Sequence, residues 1–259
     1  MSEQFWTLLT AAVGGGFFVE VFKLAFGEGR SWLARRNSDA ETIVTNLEPM
    51  LKASDELVGK LTSLGRSDFL VLRRSPSKDL SDDEYVLVAF LFIQFWARLE
   101  LFRIDFYDNK LGDSDTGRRL SKFYDCLESR DVRIVDRIYQ RALGEAAAQV
   151  DGSPSFLDFA RLYKGDADFR RWTEPLVGFL GRMDEPKSRQ RMLRYTIILH
   201  VMIDSLDPKH KITRDRPSIS HKLSKDSLRE LEYRWLGKYL KFVPTKAYAK
   251  YLGPPDGRP

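Results

Sequence analysis

The sequence holds a single cysteine, Cys126, so no internal disulfide can form and nothing in it demands an oxidising compartment. Histidine is almost as scarce. His200, His210 and His221 have no ligand-like spacing to one another or to Cys126, which leaves no metal motif and no implied cofactor. There is no phosphate-binding glycine loop, dinucleotide fingerprint, G-x-S-x-G or H-E-x-x-H. The common nucleotide-dependent, serine-hydrolase and zinc-protease chemistries therefore have no sequence support, and no small-molecule substrate is evident. Internal repeats, low-complexity tracts and convincing runs of period-two strand are also missing. That last absence points to an all-α fold.

No lysine or arginine precedes Lys23, and within residues 1–26 one stretch has no charge at all. Residues 5–19 read FWTLLTAAVGGGFFV, and the apolar character continues past Glu20 and Lys23 to Phe26. A helix over residues 5–26 would be about as long as a bilayer core is thick. We read residues 1–27 as a membrane-spanning segment. A secretory signal peptide is the second reading, with Ala25-Phe26-Gly27 as a faint cleavage pattern but no positive charge ahead of the apolar run. A buried or interfacial helix with Glu20 and Lys23 on its wet face is the third. For a span, Lys23, Arg30, Arg35 and Arg36 on the far flank place the N-terminus outside and the C-terminal domain in the cytoplasm. Within the span, Ala11 with Gly15 and Ala12 with Gly16 form small-xxx-small pairs that let helix backbones approach closely. Glu20 would be unfavourable against lipid and belongs at the interface or against a partner. These residues predict self-association as a homo-oligomer, with membrane lipids as the other partner.

The net charge of +5 is unevenly placed. Residues 205–259 carry 13 Lys+Arg against 6 Asp+Glu, a surplus of +7, and the rest of the chain carries −2. In that C-terminal stretch Tyr233, Trp235, Tyr239, Phe242, Tyr248 and Tyr251 alternate with Arg234, Lys238, Lys241, Lys246 and Lys250. Such a basic-aromatic surface, with Arg234, Trp235, Lys238, Tyr239 and Lys241 at its centre, suits an anionic leaflet. It also suits single-stranded nucleic acid, which proximity to the membrane disfavours. Alternatively it is a final amphipathic helix with its aromatics in the core.

Between these ends the pattern predicts about six or seven helices: a linker and coiled-coil-like helix over residues 28–65, a bundle over 66–243 and a flexible basic tail over 244–259. Ile43, Leu47, Met50, Leu57, Leu61 and Leu64 follow a four-three spacing with Ser54 in one slot, Pro49 kinks or starts that helix, and Gly65 stops it. This seam fits either packing on its own domain or pairing between subunits. Ser81 with Glu84 forms a capping box before YVLVAFLFI, which opens a helix over residues 82–107. That helix is apolar almost all round and soon interrupted by Gln94, Arg98 and Glu100, so it reads as the central core helix and not a second span. Glu100, Asp105 and Asp108 alternate with Arg98 and Arg103, as in an ion-pair network. Further helices are expected within 118–150, after Ser155, over 172–183 (starting near Pro175), over 187–206 and over 224–242.

Two constellations on the helix over 187–206 carry possible chemistry. Thr196, His200 and Asp204 stand four apart on one face, a polar stripe in which His200 donates to Asp204. Arg194 and His200 occur in RYTIILH, an Arg, a short spacer and a His that resembles the motif of HEPN-type ribonucleases. The resemblance covers seven residues. It implies an all-helical dimeric enzyme in which the Arg and the His act on the RNA phosphate and 2′-hydroxyl. Here the spacer is apolar, and residues six apart on a helix lie about 120° from each other. The reading the sequence favours is a self-associating membrane effector or scaffold without conventional catalytic chemistry. In architecture it is similar to membrane-disrupting effectors of bacterial defence. A membrane-tethered HEPN-like ribonuclease and a soluble nucleic-acid- or partner-binding helical module are the alternatives.

Overall fold

The computed structural model describes residues 39–75, 82–108, 115–148 and 155–252, with side chains left out at 39–46, 105–108, 245 and 248. The segment expected to span a membrane at 1–27, its residues Ala11, Ala12, Gly15, Gly16 and Glu20, the capping residue Ser81 and residues 151–154 lie outside the described residues. Residues 43–259 form one compact unit. Its described residues contain ten α-helices and no strand.

The helices are α1 (Asp39–Arg66), α2 (Leu70–Arg74), α3 (Asp83–Asp108), α4 (Asp115–Leu127), α5 (Arg137–Ala148), α6 (Phe156–Gly165), α7 (Ala167–Gly181), α8 (Pro186–Leu206), α9 (Lys225–Glu230) and α10 (Thr245–Leu252). A 3₁₀ turn covers Ser220–Lys222, and α9 runs on as a π-helix over Leu231–Tyr239. Seven of the α-helices have ten residues or more.

The core forms around α3. Tyr85, Val88, Ala89, Phe92, Ile93, Phe95, Trp96, Ala97 and Leu99 are all but inaccessible to water, and they point to every side of the helix. Residues 83–104 are long and apolar enough to cross a membrane, contrary to the expectation that the polar interruptions make this helix too short, yet 72% of the window is buried inside the bundle. α5 lies along α3 in the most extensive helix pairing of the fold. Gly144 permits that approach. A Cβ built there would stand 2.8 Å from the Trp96 carbonyl oxygen and 2.8 Å from Glu100 Cγ.

The four-three seam of α1 faces inward. Met50, Leu57, Leu61 and Leu64 are in the core, and Ser54 returns its hydroxyl to the Met50 carbonyl at 2.7 Å. The seam from Met50 onward is consumed by the chain's own bundle, which leaves it no surface for pairing between subunits. α1 passes through Pro49 and ends one residue beyond Gly65. The stop is a Schellman arrangement: Phe69 N–H bonds the Leu64 carbonyl at 2.7 Å and Asp68 N–H the Gly65 carbonyl at 3.1 Å. Asp68 takes the left-handed position with φ 52, and Arg73 and Arg189 both pair with its carboxylate. Sequence reasoning credited glycine with a role that an ion-paired aspartate fills.

Other starts and stops also differ from expectation for local reasons. Asp82 caps α3 by accepting the Glu84 N–H at 2.9 Å. α4 begins at Asp115, ahead of the helical region expected within 118–150, where Asp115 meets Arg119 at 2.8 Å. Ile138 is 66% exposed, whereas Leu120, Phe123, Tyr124, Leu127, Ile134 and Leu143 are buried. Ser155 caps α6 through the Asp158 N–H, as its spacing predicts. α7 starts at Ala167 and not near Pro175, because Asp166 accepts the N–H groups of both Asp168 and Phe169. The tail expected at 244–259 is helical over Thr245–Leu252, and its Tyr251 is buried.

Charge is kept inside the bundle where it is paired. Glu100, 2% exposed, accepts from Arg103 Nε at 2.6 Å and from the Tyr124 hydroxyl at 2.9 Å, and Arg103 reaches Glu145 at 3.1 Å. Glu128 takes both prongs of Arg141 at 3.0 and 2.9 Å. Burial raises the Glu100 pKa, and Arg103 opposes that shift. Of the ion pairs expected along α3, the one between Glu100 and Arg103 forms.

The α3–α5 contact generates a paired test. Gly144→Ala should lower stability by about 1–3 kcal/mol, because backbone on the facing helix cannot yield. Gly178→Ala, in open space on α7, should raise it by about 0.5–1 kcal/mol through helix propensity alone. Urea unfolding of both variants reads the difference; a Gly144→Ala protein as stable as Gly178→Ala would show that α3 and α5 are not in close contact.

Candidate functional site

Two polar regions flank α8. The first surrounds Asp204 near the helix C-terminus. Lys250 Nζ lies 2.8 Å from Asp204 Oδ2, the Tyr251 hydroxyl donates to the same oxygen, and His200 Nε2 and His210 Nε2 each stand 3.6 Å from Asp204 Oδ1. Lys250 also bonds Asp215 at 2.8 Å, and His210 Nε2 approaches Asp215 at 3.6 Å. Three segments supply this cluster: α8 with His200 and Asp204, the loop after it with His210 and Asp215, and α10 with Lys250 and Tyr251.

The loop is held in place by Asp207, which follows the last turn of α8. Its carboxylate accepts the N–H groups of Lys211, Ile212 and Thr213, each at 2.9 Å, and the Thr213 hydroxyl at 2.9 Å. Burial pushes the Asp207 pKa up, but the three backbone donors and Thr213 more than offset this and the net shift is downward. His210 adopts a left-handed φ of 46, and its Nδ1 lies 3.2 Å from the Thr213 Oγ1. Arg216 then ties the loop to α1 through Asp55, at 2.9 and 2.8 Å.

The expected stripe of Thr196, His200 and Asp204 is on one face of α8, but it is not one hydrogen-bond chain. Thr196 donates to the Met192 carbonyl at 2.8 Å. His200 Nε2 and Asp204 Oδ1 are buried and make no hydrogen bond, and their 3.6 Å separation is too long for one. The His200 ring meets the Tyr251 ring edge-on, with centroids 5.5 Å apart. Burial pushes the His200 pKa down to about 4, although Asp204 pulls it up, so the imidazole is neutral near pH 7. The neighbouring Lys250 acts in the same direction as burial, against Asp204. The cluster has the geometry of a clamp that fastens α10 to α8.

The second region lies on α9 and the π-helix. π-helices are uncommon and occur often at functional sites. Here the Leu240 N–H reaches the Trp235 carbonyl at 2.9 Å, a five-residue step. Asp226, Arg229, Glu230, Tyr233 and Arg234 line an open cavity of about 620 Å³. Arg194 pairs with Glu230 beside it, and Arg234 pairs with Asp131 at 2.5 Å and lies 5.2 Å above the Trp235 ring. Burial, then the neighbouring Arg191, lower the Arg194 pKa. Arg234, Lys238, Tyr239 and Lys241 of the expected basic-aromatic surface are exposed. Trp235 is not: it is fully buried and stacks on Tyr239 from within, at 5.3 Å.

Arg194 and His200 are not brought together. No hydrogen bond or ion pair joins them; Arg194 is directed to Glu230, and His200 to Asp204 and Tyr251. Cys126 is buried, which pushes its thiol up to about 12 and leaves it protonated. Among the described residues no three His, Cys, Asp or Glu side chains gather as a metal site. His210, Asp215, Lys250 and Tyr251 were missed by sequence reasoning. They come from an irregular loop and a stretch read as tail, where no periodicity marks a shared face. Comparison with protein-family models, with curated proteins and with solved structures finds no match.

The His200 environment predicts a pH dependence. The folded pKa lies below the ordinary 6.5, so the unfolded chain binds the extra proton first as pH falls. Stability should therefore decline between pH 6.5 and about 4, with a slope of up to about 1.4 kcal/mol per pH unit from this group. Denaturant melts of the wild type and of His200→Gln across that window test this. The variant should lack that part of the slope; equal slopes would place the proton uptake elsewhere.

Proposed function

We propose that the protein is a membrane-anchored helical protein, a self-associating effector or scaffold that works at the bilayer without conventional catalytic chemistry. The observation that carries this reading is the charge-free stretch at residues 5–19, with all nearby Lys and Arg on its C-terminal side. Residues 43–259 then stand as the cytoplasmic domain, with the N-terminus on the opposite side of the membrane. The exposed Arg234, Lys238 and Lys241 suit an anionic leaflet at about 1 kcal/mol each. Self-association runs through the small residues Ala11, Ala12, Gly15 and Gly16, since the α1 seam is occupied.

A tethered ribonuclease acting through Arg194 and His200 has less support. Its histidine would need to be accessible and titrate near neutrality, whereas His200 is 3% exposed and neutral.

Membrane fractionation with an alkaline carbonate wash tests the anchor. The chain should remain in the pellet, and Gly15→Leu with Gly16→Leu should remain there too while its oligomer mass in detergent falls. Quantitative release of the wild type into the supernatant would overturn the anchored reading.

A further inference from the structure

α1 and α3 diverge to leave an open cleft of about 450 Å³, lined by Glu48, Pro49, Lys52, Ala53, Glu56, Gln94 and Arg98. Its volume is in the range of small-ligand sites. Two of its side chains lack what they need. Arg98 is half-buried, and among the described residues no carboxylate pairs with it: Arg103 on the same helix has Glu100 and Glu145, while burial lowers the Arg98 pKa. One turn earlier, the Gln94 side chain lines the same cleft; its Oε1 is turned away from water and accepts no hydrogen bond, and rotation of the amide brings it to the cleft. A desolvated guanidinium and a desolvated amide oxygen each cost free energy unless something fills them. Residues four apart on a helix are neighbours, so one small molecule can meet both.

The rim narrows the chemistry. Glu48 and Lys52 neutralise each other at 2.6 Å, and Glu56 adds a further exposed negative charge. Against the single cation Arg98, this rim repels polyanions and tolerates a monoanion or a zwitterion. The fitting ligand presents a carboxylate to the guanidinium, which such groups bind through two parallel hydrogen bonds, and an N–H donor to the amide oxygen. Glu56 stands where an ammonium would be welcome. Pro49 and Ala53 offer a small apolar wall for a short side chain.

We propose that this cleft is a binding site for a free amino acid, with Arg98 holding the carboxylate and Gln94 accepting from the amino group. The site is remote in sequence from the Asp204 clamp and the π-helix, and it stands whether or not residues 5–26 span a membrane.

Thermal melts of the full chain in detergent, with each common amino acid added singly, and with inorganic phosphate and ATP as further probes, test the proposal. At least one amino acid should raise Tm by about 5 °C at saturation. That rise should vanish in Arg98→Met, which keeps the stem and removes no ion pair of the folded chain. Gln94→Leu should weaken the same amino acid by at least about tenfold, and it serves alone if Arg98→Met does not fold. No shift with any amino acid, an undiminished shift in the variants, or a larger shift with phosphate or ATP would overturn the assignment.

Discussion

A helix that is apolar on every side can be stable in water only when other elements cover it completely, and α3 imposes that requirement on the whole chain. α5 covers one side at the closest separation that Gly144 permits. α1, α6, α7 and α8 contribute to the same continuous core. The interior charges follow from this enclosure. Glu100 lies one turn past the most apolar part of α3, so it must be met by Arg103 and Tyr124, and Arg103 in turn by Glu145. Leaving any of these unpaired inside the bundle would cost about 3–5 kcal/mol.

The same enclosure explains why chemistry collects at the ends of α8 and not along it. The middle of α8, from Tyr195 to Ile203, is buried throughout, so His200 is held neutral and its face is closed by Tyr251. Only where α8 meets the following loop do Asp204 and Asp207 find donors. There the loop and α10 are gathered by carboxylates as well as by apolar contacts such as that of the buried Tyr251. On the other flank, Arg194 exchanges the core for Glu230 and the wet, arginine-bearing surface of the π-helix. Arg194 and His200, about 120° apart on α8, thus fall in two different environments.

Much of the fold was legible because long periodic segments dominate it. The α1 seam, the all-round apolar character of YVLVAFLFI, the Ser155 cap and the limits of α8 all followed from spacing. Where reading failed, a side chain had replaced the usual signal. Asp68, fixed by two arginines, did what glycine was expected to do, and Asp166 started α7 well before Pro175. α10 was hidden because its apolar anchor is one tyrosine whose partners, Asp204 and His200, are about fifty residues away. The site was less legible than the fold. Thr196, His200 and Asp204 share one face of α8, but spacing could not reveal that Lys250 and Tyr251 would take Asp204 and leave His200 Nε2 without a hydrogen bond. Trp235 turns inward, as the alternative reading of a final amphipathic helix with its aromatics in the core expects, while Arg234, Lys238, Tyr239 and Lys241 stay exposed.

α3 is the core helix of the bundle, although its composition would also suit a membrane. Hydrogen exchange of the full chain in detergent micelles, resolved by peptide, tests it most directly. The amides of residues 88–99 should exchange only through global unfolding, with a protection free energy equal to the stability from denaturant melts. Exchange of those amides through a smaller opening, or protection unchanged by denaturant that unfolds α5 and α8, would show that α3 is shielded by the micelle and not by its neighbours.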